Sequence, residues 1–122
     1  MALLDKYLPK TEFNSYEEFY KEFSINIPEN FNFAFDVVDK LADEKSNCNR
    51  RALQWRDEKG AEASFTSYQM KNLSNKAANI LAHAGIGKGD PVMLILKRRW
   101  EYWPLLLALH KLGAVAIPAT HL

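Results

Sequence analysis

The residues of this 122-residue chain whose types invite chemistry are three histidines, one cysteine and a glycine-rich turn. Gly85-Ile-Gly-Lys-Gly-Asp90 has the composition of a phosphate cradle. Such a cradle follows a strand and opens a helix, so that the helix N-terminus meets the anion. Here the glycines follow a helical pattern and precede an apolar run, and their spacing matches neither the Walker pattern nor the dinucleotide fingerprint. The segment reads as a connecting turn. His83 falls on a polar helix face with Asn72, Lys76 and Asn79, and reads as solvated. His110 shares a face with Trp103 and Leu107, which predicts a half-buried, hydrogen-bonded imidazole. His121 stands just past the carboxyl end of a predicted parallel strand, the edge at which open α/β sheets hold ligands, and is the candidate ligand contact among the three.

No pair of histidines has zinc-ligand spacing. Asp36, Asp39 and Asp43 read as a solvated helix face and give no general acid–base pair. Cys48, the single cysteine, lies between Asn47 and Asn49, so neither an intramolecular disulfide nor a cysteine metal pair is expected. Trp100, Tyr102 and Trp103 head an apolar helix and read as core or subdomain-interface residues rather than a stacking platform. The net charge of +1 gives no electrostatic reason for a nucleic-acid partner, and Lys97-Arg98-Arg99 reads as a solvated strand end. Met1-Ala-Leu-Leu-Asp-Lys has no signal-peptide form, and the apolar run near Leu105–Leu109 is too short for a membrane span. The expected compartment is cytoplasmic.

The elements that must position these residues are legible in order. Ser15-Tyr-Glu-Glu18 has the capping-box form and opens a helix with Tyr16, Phe19, Tyr20 and Phe23 as an aromatic face, ended by Ile27-Pro28-Glu29. A second helix is predicted over 33–44, with Phe33, Ala34, Val37, Val38, Leu41 and Ala42 at four-residue steps and Asp36, Asp39, Lys40 and Asp43 opposite. Arg51–Arg56 and Ala63–Thr66 flank Asp57-Glu-Lys-Gly60 as a β-hairpin. Thr66 and Gln69 form a second capping box, with Phe65 and Met70 placed as a hydrophobic staple. The helix they open buries Leu73, Ala77, Ile80, Leu81 and Ala84, and stops at Gly85. Pro91–Leu96 and Ala114–Pro118 are apolar runs without polar alternation, the pattern of parallel strands buried on both faces. Between them a helix over 99–112 ends at Gly113, and Pro104 fits only if the helix starts near Tyr102.

The fold class is therefore α/β: N-terminal helices, a β-hairpin and one β-α-β parallel unit. With 122 residues and 48% hydrophobic composition there is room for one real core.

Ala63-Ser-Phe-Thr-Ser-Tyr-Gln-Met-Lys-Asn-Leu73, followed by Ala77-Ala-Asn-Ile-Leu81, resembles the first core motif of the AMP-forming acyl-CoA synthetases. Gly89-Asp-Pro-Val is similar to the family's segment before its first parallel strand, and His110-Lys-Leu-Gly-Ala-Val-Ala-Ile-Pro118 resembles its second motif. Met93–Arg99 and Pro118–Leu122 look most like the medium-chain branch. The resemblance implies a first part of the large adenylation domain over 31–122, cut before the phosphate loop, after an N-terminal helical extension over 1–30. It implies a ligase that activates a carboxylic acid, of the fatty class, with ATP and Mg, then transfers the acyl group to coenzyme A. The one family site it carries onto this sequence is the loop bordering the coenzyme A nucleotide: Thr120, His121 and Leu122. The phosphate loop, adenine pocket and catalytic lysine fall downstream of these motifs in the family, so the isolated chain is expected to be inactive and to bind none of these ligands. A self-contained nucleotide- or CoA-binding module is the rival reading. Another is a structural module that self-associates through the uncharged final strand.

Overall fold

The computed structural model describes residues 3–120, which divide into two compact units, 3–31 and 32–120. In the first unit, a short 3-10 turn Leu3–Lys6 precedes helix α1, Tyr16–Glu22. Ser15 caps α1 through its hydroxyl, which accepts the Glu18 amide at 3.1 Å. The return half of the expected capping box slips by one residue, because the Glu18 carboxylate accepts the amide of Asn14 at 2.7 Å instead. Lys10 ion-pairs with Glu18 and Glu22, both at 2.5 Å. The lysine hydrogen bond, followed by that of Asn14, holds the Glu18 carboxyl below the ordinary carboxylate range. Phe13 packs edge-on against Phe19 at 5.2 Å, while Tyr16 and Tyr20 stay largely exposed. The helix ends at Glu22, short of the expected Ile27-Pro28 stop. Phe23 turns extended, and β-branched Ile25 and Ile27 flank an amide of Asn26 that pairs with the carbonyl of Tyr7.

The second unit carries the parallel sheet. Its first helix, α2, begins as a π-helical stretch, Ala34–Asp39, and continues as an α-helical turn, Lys40–Asp43. Asn32 starts it: its side-chain oxygen accepts the amides of Ala34 and Phe35, and its own amide is taken by the Asp36 carboxylate. The π turn corrects the sequence reading. Residues five apart, rather than four, come onto one side of a π turn. Ala34 and Asp39 are therefore both buried, and Asp39 leaves the solvated face assigned to it.

The hairpin forms as expected from β1, Arg51–Arg56, and β2, Glu62–Thr66, antiparallel with an irregularity between Arg51 and Leu53. Asp57 organises its turn by accepting the amides of Lys59 and Ala61, and Gly60 supplies φ +87°. Helix α3, Ser67–His83, has the full Thr66–Gln69 capping box. Its first amides, at Ser67 and Tyr68, are taken by the carbonyls of Arg50 and Cys48, which pins the helix start to the approach to β1.

The buried stripe of α3 is Met70, Ser74 and Ala78; of the residues expected there, Leu73, Ala77 and Leu81 are half-buried, while Ala84 and Ile80 are exposed, Ile80 at 69%. Small side chains win that face because α3 packs chiefly against α4, Tyr102–Leu112, whose Ala108 and Leu109 are fully buried. The Ser74 hydroxyl is satisfied within its own helix by the carbonyl of Lys71. Helix α4 starts at Tyr102, which places Pro104 in the first turn, where its missing amide costs nothing. Gly113 ends it at φ +67°; a Cβ there would stand 3.2 Å from the Lys88 side chain.

Strands β3, Pro91–Leu94, and β4, Val115–Pro118, pair in parallel through α4, in the register Pro91↔Val115 to Leu94↔Pro118. Both are shorter than expected. The prediction of burial on both faces also fails among the described residues. Leu94 is buried, but Met93, Ile95, Val115 and Ile117 remain substantially exposed.

One polar cluster ties the helices of this unit together. Lys111, 3% exposed in its side chain, donates to both Asp39 oxygens at 2.9 Å and to Asn75 Oδ1 at 2.6 Å. Asp39→Ala strands that ammonium, and chemical denaturation is expected to show a loss of about 3–5 kcal/mol. The double change Asp39→Leu/Lys111→Met recovers most of it; a loss below about 1 kcal/mol for Asp39→Ala contradicts the assignment.

Candidate functional site

Two places bring together the residues that chemistry would need. The first is the carboxyl edge of the parallel pair. Thr120 lies there, exposed, two residues past the end of β4, with the Ala119 amide bonded to the Leu94 carbonyl at 3.1 Å. His121 and Leu122, the other candidate contacts, lie outside the described residues. The segment after β3 carries Lys97, Arg98 and Arg99, all exposed as expected. Arg99 pairs with Glu101 at 2.9 Å; that bond raises the guanidinium pKa and lowers that of the carboxyl. Lys97 and Arg98 make no ion pair among the described residues. The Arg98 carbonyl accepts the Trp55 indole N–H at 2.5 Å, and Trp100 stacks at a tilt on Phe65 at 4.6 Å, so the hairpin holds this segment in place.

The glycine-rich turn is a connection, as its order in the chain implied. The Gly87 amide is already bonded to Asp90 Oδ2 at 2.7 Å, and the Gly89 amide to the Gly113 carbonyl at 2.9 Å. The Gly85 and Ile86 amides close the end of α3 on Ala82 and Leu81. Amides so committed cannot cradle a phosphate, so the turn does not fit ATP. Among the described residues no three His, Cys, Asp or Glu side chains group as a metal site. His83 is exposed on α3, and Cys48 is half-buried with its Sγ 3.5 Å from the Lys45 carbonyl.

The second place is a cavity of about 650 Å³ between α2, β1, α3 and α4. Val38, Leu41, Leu53, Met70, Leu106 and Leu107 make its walls apolar. Trp103 and His110 line it from α4, and Arg50 and Arg51 from the approach to β1. Trp103, expected in the core or at a subdomain interface, is 48% exposed and forms an open cavity wall. His110 is half-buried as expected, and Phe33 packs edge-on to its ring. Its Nδ1, however, is shielded from solvent and has no hydrogen-bond partner among the described residues. Its carbonyl accepts the Asn32 side-chain amide at 2.7 Å, which locks the end of α4 to the start of α2.

The sequence reading missed both the cavity and the Lys111 cluster. The signal for the cluster was present. Lys111 follows Ala108 by three residues and Leu107 by four, which places a lysine on the apolar stripe of α4, where it needs a partner.

A two-stranded parallel pair crossed by an apolar helix, with a capped helix and a hairpin beside it, makes this a mixed α/β scaffold. The chain belongs to the AMP-binding enzyme family, whose pattern matches residues 41–122. Over 112 residues it is 38% identical to the human acyl-coenzyme A synthetase ACSM3, mitochondrial, covering 88% of this chain and 19% of that protein. Over 98 residues it is 38% identical to the rat acyl-coenzyme A synthetase ACSM4, mitochondrial, covering 77% and 17%. The chain thus spans about a fifth of the length of the curated relatives it matches. Among solved structures, the inhibitor-bound N-terminal domain of FACL13 from Mycobacterium tuberculosis superposes with a TM-score of 0.59 at 32% identity, covering 72% of this chain and 21% of that one. The fatty acid AMP ligase from Legionella pneumophila, at 22% identity and a TM-score of 0.64, covers 71% and 15% and shares the fold.

Proposed function

We propose that these residues serve an AMP-forming acyl-CoA synthetase, as scaffold for its adenylation domain rather than as its catalytic groups. Residues 31–122 form the first part of that domain, behind a helical extension over 1–30. In the reaction, a carboxylate oxygen of a fatty acid attacks the α-phosphorus of ATP. The bond to pyrophosphate breaks, and the acyl-adenylate forms. The coenzyme A thiolate then attacks the acyl carbon, and the bond to AMP breaks. Mg would accompany the ATP. The observation that carries this reading is the family match over 41–122, which includes the β3-α4-β4 unit and the His110–Pro118 motif.

The donors that would cradle phosphate in the glycine turn are engaged, so the 122 residues alone are expected to give no acyl-adenylate with ATP, Mg and decanoate. Mass spectrometry of the mixture checks this, and turnover above the blank contradicts it. Thr120, His121 and Leu122 are proposed to border the coenzyme A nucleotide. In a synthetase carrying these residues, His121→Ala is expected to raise KM for coenzyme A several-fold and leave KM for ATP unchanged. Equal effects on the two, or none, remove the assignment.

A second reading, self-association, is favoured by the uncovered face of the parallel pair and by the outer edge of β4, which has no strand beside it among the described residues. Exposed apolar edges pair with one another. Sedimentation of the chain is expected to show concentration-dependent association that Ile117→Lys weakens. A clean monomer at high concentration argues against it.

A further inference from the structure

We infer that Trp55 is a positioning residue for the coenzyme A edge, a role that rests on the adenylation-domain reading above. Its indole fixes the backbone at Arg98, and the Arg98 guanidinium receives a phosphate of the coenzyme A nucleotide.

The hairpin turns one face to the segment after β3. Leu53 pairs with Phe65 and Trp55 with Ala63, so strand alternation puts all four on one face, and all four are half-buried. Gln54, Arg56 and Ser64, on the other face, are exposed. An indole N–H only donates, and a covered one needs an acceptor. Trp55 finds it 43 residues on, in the Arg98 carbonyl at 2.5 Å. Phe65 adds a second hold on the same segment, with its ring centroid 4.6 Å from that of Trp100. Covering apolar surface requires the rings alone. The indole bond adds a fixed carbonyl direction, and with it a fixed direction for the side chain that leaves residue 98.

That side chain is a cation without a counter-ion. Of three consecutive basic residues, Arg99 is neutralised by Glu101 at 2.9 Å, whereas exposed Arg98 makes no ion pair among the described residues. A guanidinium on a pinned backbone gives up less freedom on binding than one on a loose loop. Its planar fork matches phosphate oxygens in pairs. The segment also leaves the sheet at the right edge. Strands β3 and β4 run in parallel, and the Ala119 amide bonds the Leu94 carbonyl at 3.1 Å, so the chain continues to Arg98 and to Thr120 from the same end of the pair.

The test is a double-mutant cycle in a synthetase carrying these residues, read as KM for coenzyme A and KM for ATP. R98Q is expected to raise KM for coenzyme A about tenfold, as loss of a charge-assisted bond does, and W55F about threefold, as loss of a neutral one does. KM for ATP stays unchanged in both. In the R98Q background W55F is expected to add nothing, because the indole acts through Arg98. A Trp55 that only stabilised the fold would act equally in both backgrounds. His121→Ala separates this role from the reading of the edge. If it leaves KM for coenzyme A alone while the cycle holds, the assignment of His121 falls and that of Trp55 stands. If it acts while the cycle is additive, Trp55 loses its role. In the unsubstituted 122-residue chain the Trp55 indole proton is expected to exchange slowly and to transfer magnetisation to protons of Arg98 and Arg99, which needs no variant. Additive effects, an equal rise in KM for ATP, no response of KM for coenzyme A to R98Q, or a freely exchanging indole proton would each overturn the inference.

Discussion

An ammonium group with three donors and almost no access to water is the constraint around which residues 32–120 are arranged. Lys111 has 3% of its side chain exposed. Taking a lysine out of water costs several kcal/mol unless every donor finds an acceptor in good geometry. Here three acceptors answer three donors: the two oxygens of Asp39 and the side-chain oxygen of Asn75. The Phe35 ring adds its face at 5.4 Å. Asp39 belongs to α2, Asn75 to α3 and Lys111 to α4, so the bonds can all be made in only one arrangement of the three helices. The π turn of α2 follows from this requirement, since it brings Asp39 to the same side as Ala34.

The rest of the unit is built outward from that junction. Helices α3 and α4 meet beside it, and Ser74, Ala78, Ala108 and Leu109 are buried on them. The Asn32 side chain bonds the end of α4, and the Lys71–Asp43 ion pair at 2.5 Å ties α3 to α2 a second time. The exit of α4 at Gly113 then sets β4 beside β3, since the Gly113 carbonyl bonds Gly89 just before β3 begins. The carboxyl edge that carries Thr120 is thus placed by the exit of α4 together with the pairing of β3 and β4 and the Ala119–Leu94 bond. The cavity lies within the same frame, lined from four elements that the junction holds apart as well as together.

What the sequence made legible was local. Capping at Ser15 and Thr66, the hairpin at Asp57–Gly60 and the glycine stops at 85 and 113 depend on neighbours a few residues apart, and all appear in the structure. What it concealed was set by distant partners. The burial of Asp39 depends on a lysine 72 residues away, and the stripe of α3 depends on how closely α4 approaches. Hydrophobic size predicts which residues would gain from burial, but close helix packing selects small residues instead. The one-sided exposure of β3 and β4 was likewise invisible, because an apolar run states a preference for burial without supplying the element that covers it. Of the candidate site, the sheet edge was readable from strand order, and the cavity was not.

The central claim is that one buried cluster makes α2, α3 and α4 a single cooperative unit. Native-state hydrogen exchange on the chain and on its Asp39→Ala variant tests it most directly. The account predicts that amides in all three helices lose protection together, and by a similar free energy, in the variant. Loss confined to α2, with α4 as protected as before, would contradict it.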